Sequence, residues 1–149
     1  MYCIGDPPRE SKILDGLDGR PYSCKSISEK ETMNLLSSMF GPPLPSLNAL
    51  EVSEKLKNAK RPLVIDVRQP DEYRAGHISG SKLIPLGELG KRINELPKDR
   101  EIVCVCASGS RSHSATKFLV GAGYNAFDMK GGMFVWQRAQ LPIKKGNAS

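Results

Sequence analysis

The sequence predicts an α/β protein, a parallel sheet with helices on both faces. Two observations carry this. Short apolar or β-branched runs alternate with stretches of helical periodicity, the order that produces βαβ units and parallel strands. From residue 47 onward, capping and helix-stopping residues separate these runs at regular intervals.

The elements follow in order. Residues 1–46 read as an N-terminal extension and linker, rich in Gly and Pro and weak in hydrophobic periodicity. One helix fits inside it. Ser28 with Glu31 forms a capping-box pattern, Met33, Leu36 and Phe40 fall at helical spacing, and Gly41-Pro42-Pro43 stops the run. Residues 41–46 read as the linker. Asn48 with Glu51 opens a second capped helix, to about Asn58, that buries Ala49, Val52 and Leu56. Leu63-Val64-Ile65-Asp66-Val67 is a short buried strand. Pro70-Asp71-Glu72 suits a first helical turn, with acids near the positive dipole end. Lys82 to Leu86 reads as a strand. Leu86, Leu89, Ile93 and Leu96 then step at helical spacing until Pro97. Glu101 to Cys106 is a strand. Ala115, Phe118, Leu119 and Ala122 mark one face of the next helix, which Gly121 and Gly123 close. Ala126 to Met129 is a last strand, and Gly131-Gly132 turns into a short helix holding Phe134, Val135 and Trp136. There is no internal repeat.

Composition narrows the function classes. With 39% hydrophobic and 26% charged residues, the chain is of folded, globular type. No apolar run nears the roughly 20 residues that span a bilayer, and the N-terminus has no secretory signal pattern, so no membrane role and a cytoplasmic setting are expected. The net charge of +6 is unevenly placed. Residues 1–46 hold five Lys/Arg against six Asp/Glu, whereas residues 47–149 hold seventeen against ten. The basic excess favours anionic partners, but no Lys/Arg run or basic–aromatic alternation points to nucleic acid. Four cysteines (Cys3, Cys24, Cys104, Cys106) without C-x-x-C spacing, and only two histidines, make a structural zinc site a poor fit.

Chemistry concentrates at Cys106-Ala107-Ser108-Gly109-Ser110-Arg111-Ser112. Cys106 ends a buried strand, where open α/β sheets place their ligands. Small residues after it allow a tight backbone curl with N–H groups turned inward, and a helix N-terminus follows at once. Such a setting lowers a cysteine pKa and stabilises an anionic sulfur. Arg111 adds a fixed charge suited to oxyanions.

Four ordered motifs complete the pattern: Ile65-Asp66-Val67-Arg68, Glu72-Tyr73-Arg74-Ala75-Gly76-His77-Ile78-Ser79-Gly80-Ser81, the Cys106–Ser112 loop, and Gly131-Gly132-Met133-Phe134-Val135-Trp136. On these motifs residues 47–149 resemble a single rhodanese domain of the thiosulfate sulfurtransferase family. Ser79 and Ser81 depart from the family's usual Pro and Ala. The resemblance implies a central five-stranded parallel sheet and a ping-pong reaction without metal or organic cofactor. Cys106 would be the nucleophile, with Ala107, Ser108, Gly109, Ser110 and Arg111 as the persulfide cradle and Arg111 as the contact to the donor anion. The implied partners are a small anionic sulfur donor such as thiosulfate and an acceptor, either cyanide or a thiol, the latter small or on a protein. Oligomeric state is not indicated.

Plainer readings compete at several positions. Cys104, on the same strand face as Cys106, reads as a packed thiol, with a redox partnership the alternative. Asp66 and Arg68 read as organisers of the pocket wall. Glu72 and His77 are open to acid–base roles, with hydrogen-bonded structural roles favoured. Arg74 is counted with Asp66 and Arg68 in the supporting pocket, at its entrance, with simple exposure the alternative, and His113 reads as solvated. Two other functions use similar parts. A cysteine-dependent phosphatase or arsenate reductase also sets a thiolate and an arginine around an anion, but with five intervening residues, whereas four lie between Cys106 and Arg111. A non-enzymatic sulfur-relay module is the other.

Overall fold

The computed structural model describes residues 43–146. The helix expected between Ser28 and Phe40, and Cys3 and Cys24, lie outside them.

Five strands, all parallel, form one sheet in the order β1-β5-β4-β2-β3. They are β1 Ser46–Leu47, β2 Leu63–Asp66, β3 Lys82–Leu83, β4 Ile102–Val105 and β5 Ala126–Met129. The helices are α1 Ala49–Lys57, α2 Pro70–Ala75, α3 Leu89–Arg92, α4 Ser110–Gly121 and α5 Gly132–Arg138. Among the described residues no helix is long and apolar enough to cross a membrane.

Strand β4 is central and buried along its whole length, and its alternating side chains seed two cores. Ile102 and Cys104 join Ile65, Ala115 and Leu119 on one face, under α4. Val103 and Val105 join Ala49, Val52, Met133 and Trp136 on the other, under α1 and α5. Parallel strands buried on both faces explain why they read as continuous apolar runs.

Local chemistry explains most boundaries. Asn48 Oδ1 accepts from Glu51 N–H at 2.9 Å and Glu51 Oε2 from Asn48 N–H at 2.7 Å, the reciprocal cap expected. Trp136 is buried, its Nε1–H donating to Pro142 O at 3.0 Å. His77 stacks on Tyr73 with ring centroids 3.7 Å apart. Its Nδ1 lies 2.9 Å from Tyr73 O, a structural placement.

Four expectations need correction. The strand expected over Lys82 to Leu86 is only Lys82–Leu83. The segment 86–96 is not one helix but α3 flanked by 3₁₀ turns at Leu86–Glu88 and Ile93–Glu95. Gly87 and Gly90 lower helix propensity there, while burial of Leu89 and Leu96 preserves the apolar spacing. On α4, Ala115 and Leu119 are buried, but Phe118 is 47% exposed and Ala122 is exposed, so the buried stripe is narrower than predicted. The linker's last residue, Ser46, belongs to the sheet: it pairs with Asp128, whose N–H donates to Pro45 O at 3.0 Å. Two residues are too few to show a strand period, so β1 is invisible in sequence.

Two β1 backbone bonds, Asp128 N–H to Pro45 O and Lys130 N–H to Leu47 O at 2.9 Å, hold the β5 edge. A chain starting at Asn48 should therefore unfold about 1–3 kcal/mol more easily than one starting at Pro43. Urea titration reads this, and equal midpoints would show that β1 contributes nothing.

Candidate active site

Cys106 stands directly after β4 and is 1% exposed. Its Sγ accepts the Gly109 N–H at 3.0 Å. Gly109 caps α4 with φ +108°, a left-handed geometry that favours glycine and brings its amide back onto the sulfur. Ala107 and Arg111 are half-buried, and Ser108 and Ser110 are exposed on the rim.

The start of α5 holds this loop from behind. Met133 N–H donates to Cys106 O at 2.8 Å and Phe134 N–H to Ala107 O at 3.0 Å. In a trans peptide the N–H points opposite the C=O. Tying these two carbonyls to α5 therefore turns the Ala107 and Ser108 N–H groups away from α5. Gly132 makes the approach possible. Its φ is +56°, and a Cβ there would meet Cys106 O and lie 2.7 Å from Ala107 O.

The cradle has an electrostatic result. Burial opposes ionisation of Cys106, but the Ser112 side chain, when its hydroxyl points to the sulfur, and the Ser112, Gly109 and Ser108 amides outweigh it. Together they hold the thiol below its ordinary range. Cys104 has the opposite fate. Burial, with the nearby charges of Asp128 and Cys106, pushes its thiol up to about 12 despite a hydrogen-bonding influence of Thr116. Both are free thiols. Their environments therefore act in opposite directions on two thiols of one strand face.

Arg111 is not a free anion contact. It pairs with Glu72 through two parallel bonds, Nη1 to Oε2 at 2.7 Å and Nη2 to Oε1 at 2.8 Å. The Arg111 hydrogen bond, opposed by burial and aided by the Gln69 N–H, holds the Glu72 carboxyl down at about 2. Glu72 is thus an ionised partner, in keeping with the structural reading. The pair occupies two of the five guanidinium donors. Asp66 and Arg68 form a buried brace, Arg68 Nη2 to Asp66 Oδ2 at 2.6 Å, and Arg68 also reaches Gly76 O at 2.8 Å. That brace joins the end of β2 to the end of α2. Arg74, expected with Asp66 and Arg68 in the supporting pocket, is instead exposed and paired with Asp71 of its own helix at 3.0 Å.

Two contributors escaped the sequence reading. Ser112 Oγ lies 3.5 Å from Cys106 Sγ and donates to Asp128 Oδ1 at 2.6 Å. The position of Ser112, six residues after Cys106 on the inner face of a helix, was a usable signal. Asp128 lies in an unremarkable strand and gave none. His113 is exposed but not wholly solvated, its Nδ1 3.9 Å from Asp128 Oδ2.

Known proteins resemble this chain in sequence and fold. The family model for the rhodanese-like domain matches residues 48–139. The chain is 32% identical to a thiosulfate sulfurtransferase, GlpE, of Pseudomonas putida, over 70% of this chain and 94% of that one. It is 35% identical to a probable adenylyltransferase/sulfurtransferase, MoeZ, of Mycobacterium tuberculosis, over 93% of this chain but only 34% of that longer one. A rhodanese-related protein from Thermoplasma volcanium superposes with TM-score 0.64 at 35% identity, over 67% of this chain and 97% of its own.

Glu72 is ionised in the fold at pH values where it would be protonated in an unfolded chain. Its stabilisation is therefore complete above about pH 5 and lost as pH falls toward 2. Both side chains of the pair are about a third exposed, 35% and 36%, so screening limits the gain to about 1 kcal/mol or less. The stability gap between wild type and Glu72→Gln should close on acidification through that window, measured by denaturant titration at each pH. A gap that stays constant would assign the pair no role in pH stability.

Proposed function

Because the chain belongs to the rhodanese-like domain family, we propose that it is a sulfurtransferase that moves sulfane sulfur from an anionic donor, such as thiosulfate, to a thiol through a persulfide on Cys106. The thiolate attacks the outer sulfur of the donor. A new S–S bond forms at Sγ, the donor's own S–S bond breaks, and sulfite leaves with the electron pair. An acceptor thiolate, or cyanide in assays, then attacks that outer sulfur and releases Cys106 as thiolate. Each step exchanges one bond for another and needs no oxidant.

The observation that carries this reading is the amide cradle on Cys106 Sγ, with Gly109 N–H at 3.0 Å and the loop carbonyls tied back to α5. Amides that favour a thiolate also favour the anionic outer sulfur of a persulfide. Four residues between Cys106 and Arg111 make a small ring. With Cys106 at 1% exposure, such a ring suits one added sulfur atom better than a tetrahedral phosphate. Arg111, already shared with Glu72, would draw the donor anion to the rim and not into the ring. Free thiols at both described cysteines fit a reducing, cytoplasmic setting. Residues 1–46 would serve as an extension to the catalytic domain.

Incubation with thiosulfate should add one sulfur atom (about 32 Da) to Cys106, detected by mass spectrometry, reversed by cyanide and absent in Cys106→Ser. Persistent failure to load with any sulfane donor would remove the proposal. No hydrolysis of p-nitrophenyl phosphate is expected, and robust turnover would favour a phosphatase instead.

A further inference from the structure

Behind the cradle lies a line of three groups from three elements: Cys106 after β4, Ser112 on α4 and Asp128 on β5. Ser112 is fully buried and Asp128 is 6% exposed. The Ser112 hydroxyl has one proton and two oxygen acceptors within reach, Asp128 Oδ1 at 2.6 Å and Gly109 O at 3.1 Å, while Cys106 Sγ at 3.5 Å donates to Ser112 Oγ as a thiol and is a third acceptor once ionised. The shortest contact is to a carboxylate, the strongest kind of acceptor. While Asp128 holds that proton, Ser112 Oγ is left to accept from a protonated Sγ, and that favours the thiol. When Asp128 releases it, the hydroxyl turns to donate to the sulfur, and that favours the thiolate or an anionic persulfide.

We propose that Asp128 is a positioning residue for Cys106, acting through Ser112: its carboxylate competes with the sulfur for the single Ser112 hydroxyl proton. This rests on Cys106 being the reactive thiol. Asp128 is placed by backbone pairing on both sides, with Cys104 of β4 and with Ser46 of β1, so its carboxylate is held in register with Ser112. The other titratable groups around the line are His113, 3.9 Å from Asp128 Oδ2, the Cys104 thiol, which feels the Asp128 charge, and Arg111, which feels the Cys106 charge. His113 is 59% exposed and Cys104 stays protonated, so neither supplies the short contact that Ser112 does. The role is a restraint. A thiol attacks best when its pKa is near ambient, since deeper depression costs nucleophilicity.

The test is the pH profile of Cys106 alkylation by iodoacetamide in the full chain, read at the Cys106 peptide by mass spectrometry. Asp128→Asn should move the midpoint down by about one pH unit, giving roughly ten times more thiolate below it. In a Ser112→Ala background the same substitution should move it by less than a third as much, because the connecting hydroxyl is gone. An unshifted midpoint would overturn the proposal. So would an equal shift in both backgrounds, which assigns the effect to the field of the carboxylate alone. Asp128→Ser also removes the charge and gives the same readout if Asp128→Asn does not fold. If wild-type Cys106 resists alkylation across the whole range, the reactive-thiol reading falls as well. A labelled but unshifted Cys106 sinks only the role of Asp128.

Discussion

The structure depends on one close approach, the start of α5 against the loop after β4. Two backbone bonds, at 2.8 and 3.0 Å, fix the carbonyls of Cys106 and Ala107. Every other property of the site follows from where those carbonyls point. With them held outward, the amides that follow are free to converge on the sulfur. The contact needs Gly132, because a side chain at that position would collide with the same two carbonyls. It also needs β5 in place, since β5 delivers the chain to Gly131 and thus to α5. The parallel sheet is therefore the device that brings a glycine pair some 25 residues downstream against the nucleophile loop.

Charge is arranged around the loop so that little of it is loose. Asp66 and Arg68 neutralise each other in the buried wall, where an unpaired charge would be costly. Arg111 and Glu72 do so at the rim, where solvent weakens the pair. The positive influence on Cys106 comes mainly from neutral amide dipoles and only secondarily from a cation. An amide cradle cannot titrate, so it holds a sulfur anion equally well at any working pH. The guanidinium, bound to a carboxylate through two of its donors, can still meet a donor anion with the others.

Much of this was legible in the sequence, for identifiable reasons. Short apolar runs, caps and stops located four of the five strands: β2, β4 and β5 are four residues each and leave a pattern, while β3, expected over Lys82 to Leu86, is only Lys82–Leu83 and is placed by the turn before it and the helical spacing after it. Cys106 and its loop stood out because a cysteine, a run of small residues and a helix start coincide in seven positions. The unseen parts are those whose partners are distant in the chain. β1 is two residues with no period of its own. Glu72 and Arg111 are 39 positions apart, and one reads as a helix-start acid and the other as an oxyanion contact until the fold joins them. Asp128 was invisible because its significance comes from Ser112, 16 positions earlier. The segment 86–96 shows the converse: an apolar spacing of helical type survives even where glycines break the helix, because burial selects side chains and not the backbone between them.

Cys104 and Cys106 show how little sequence distance such a site needs. They sit two residues apart on the same sheet face and share one core cluster. One is pushed up to about 12 and the other drawn below its ordinary range. Burial opposes ionisation of both, which are almost fully covered at 0% and 1% exposure. What offsets it at Cys106 is the end of the strand. Within β4 the backbone amides are committed to neighbouring strands, so Cys104 has none to receive. One residue past β4 the ladder stops, and the amides of the turn, left without strand partners, are available to the sulfur. A cysteine whose thiolate is favoured on this sheet therefore lies just beyond the last ladder bond, and Cys106 occupies that position.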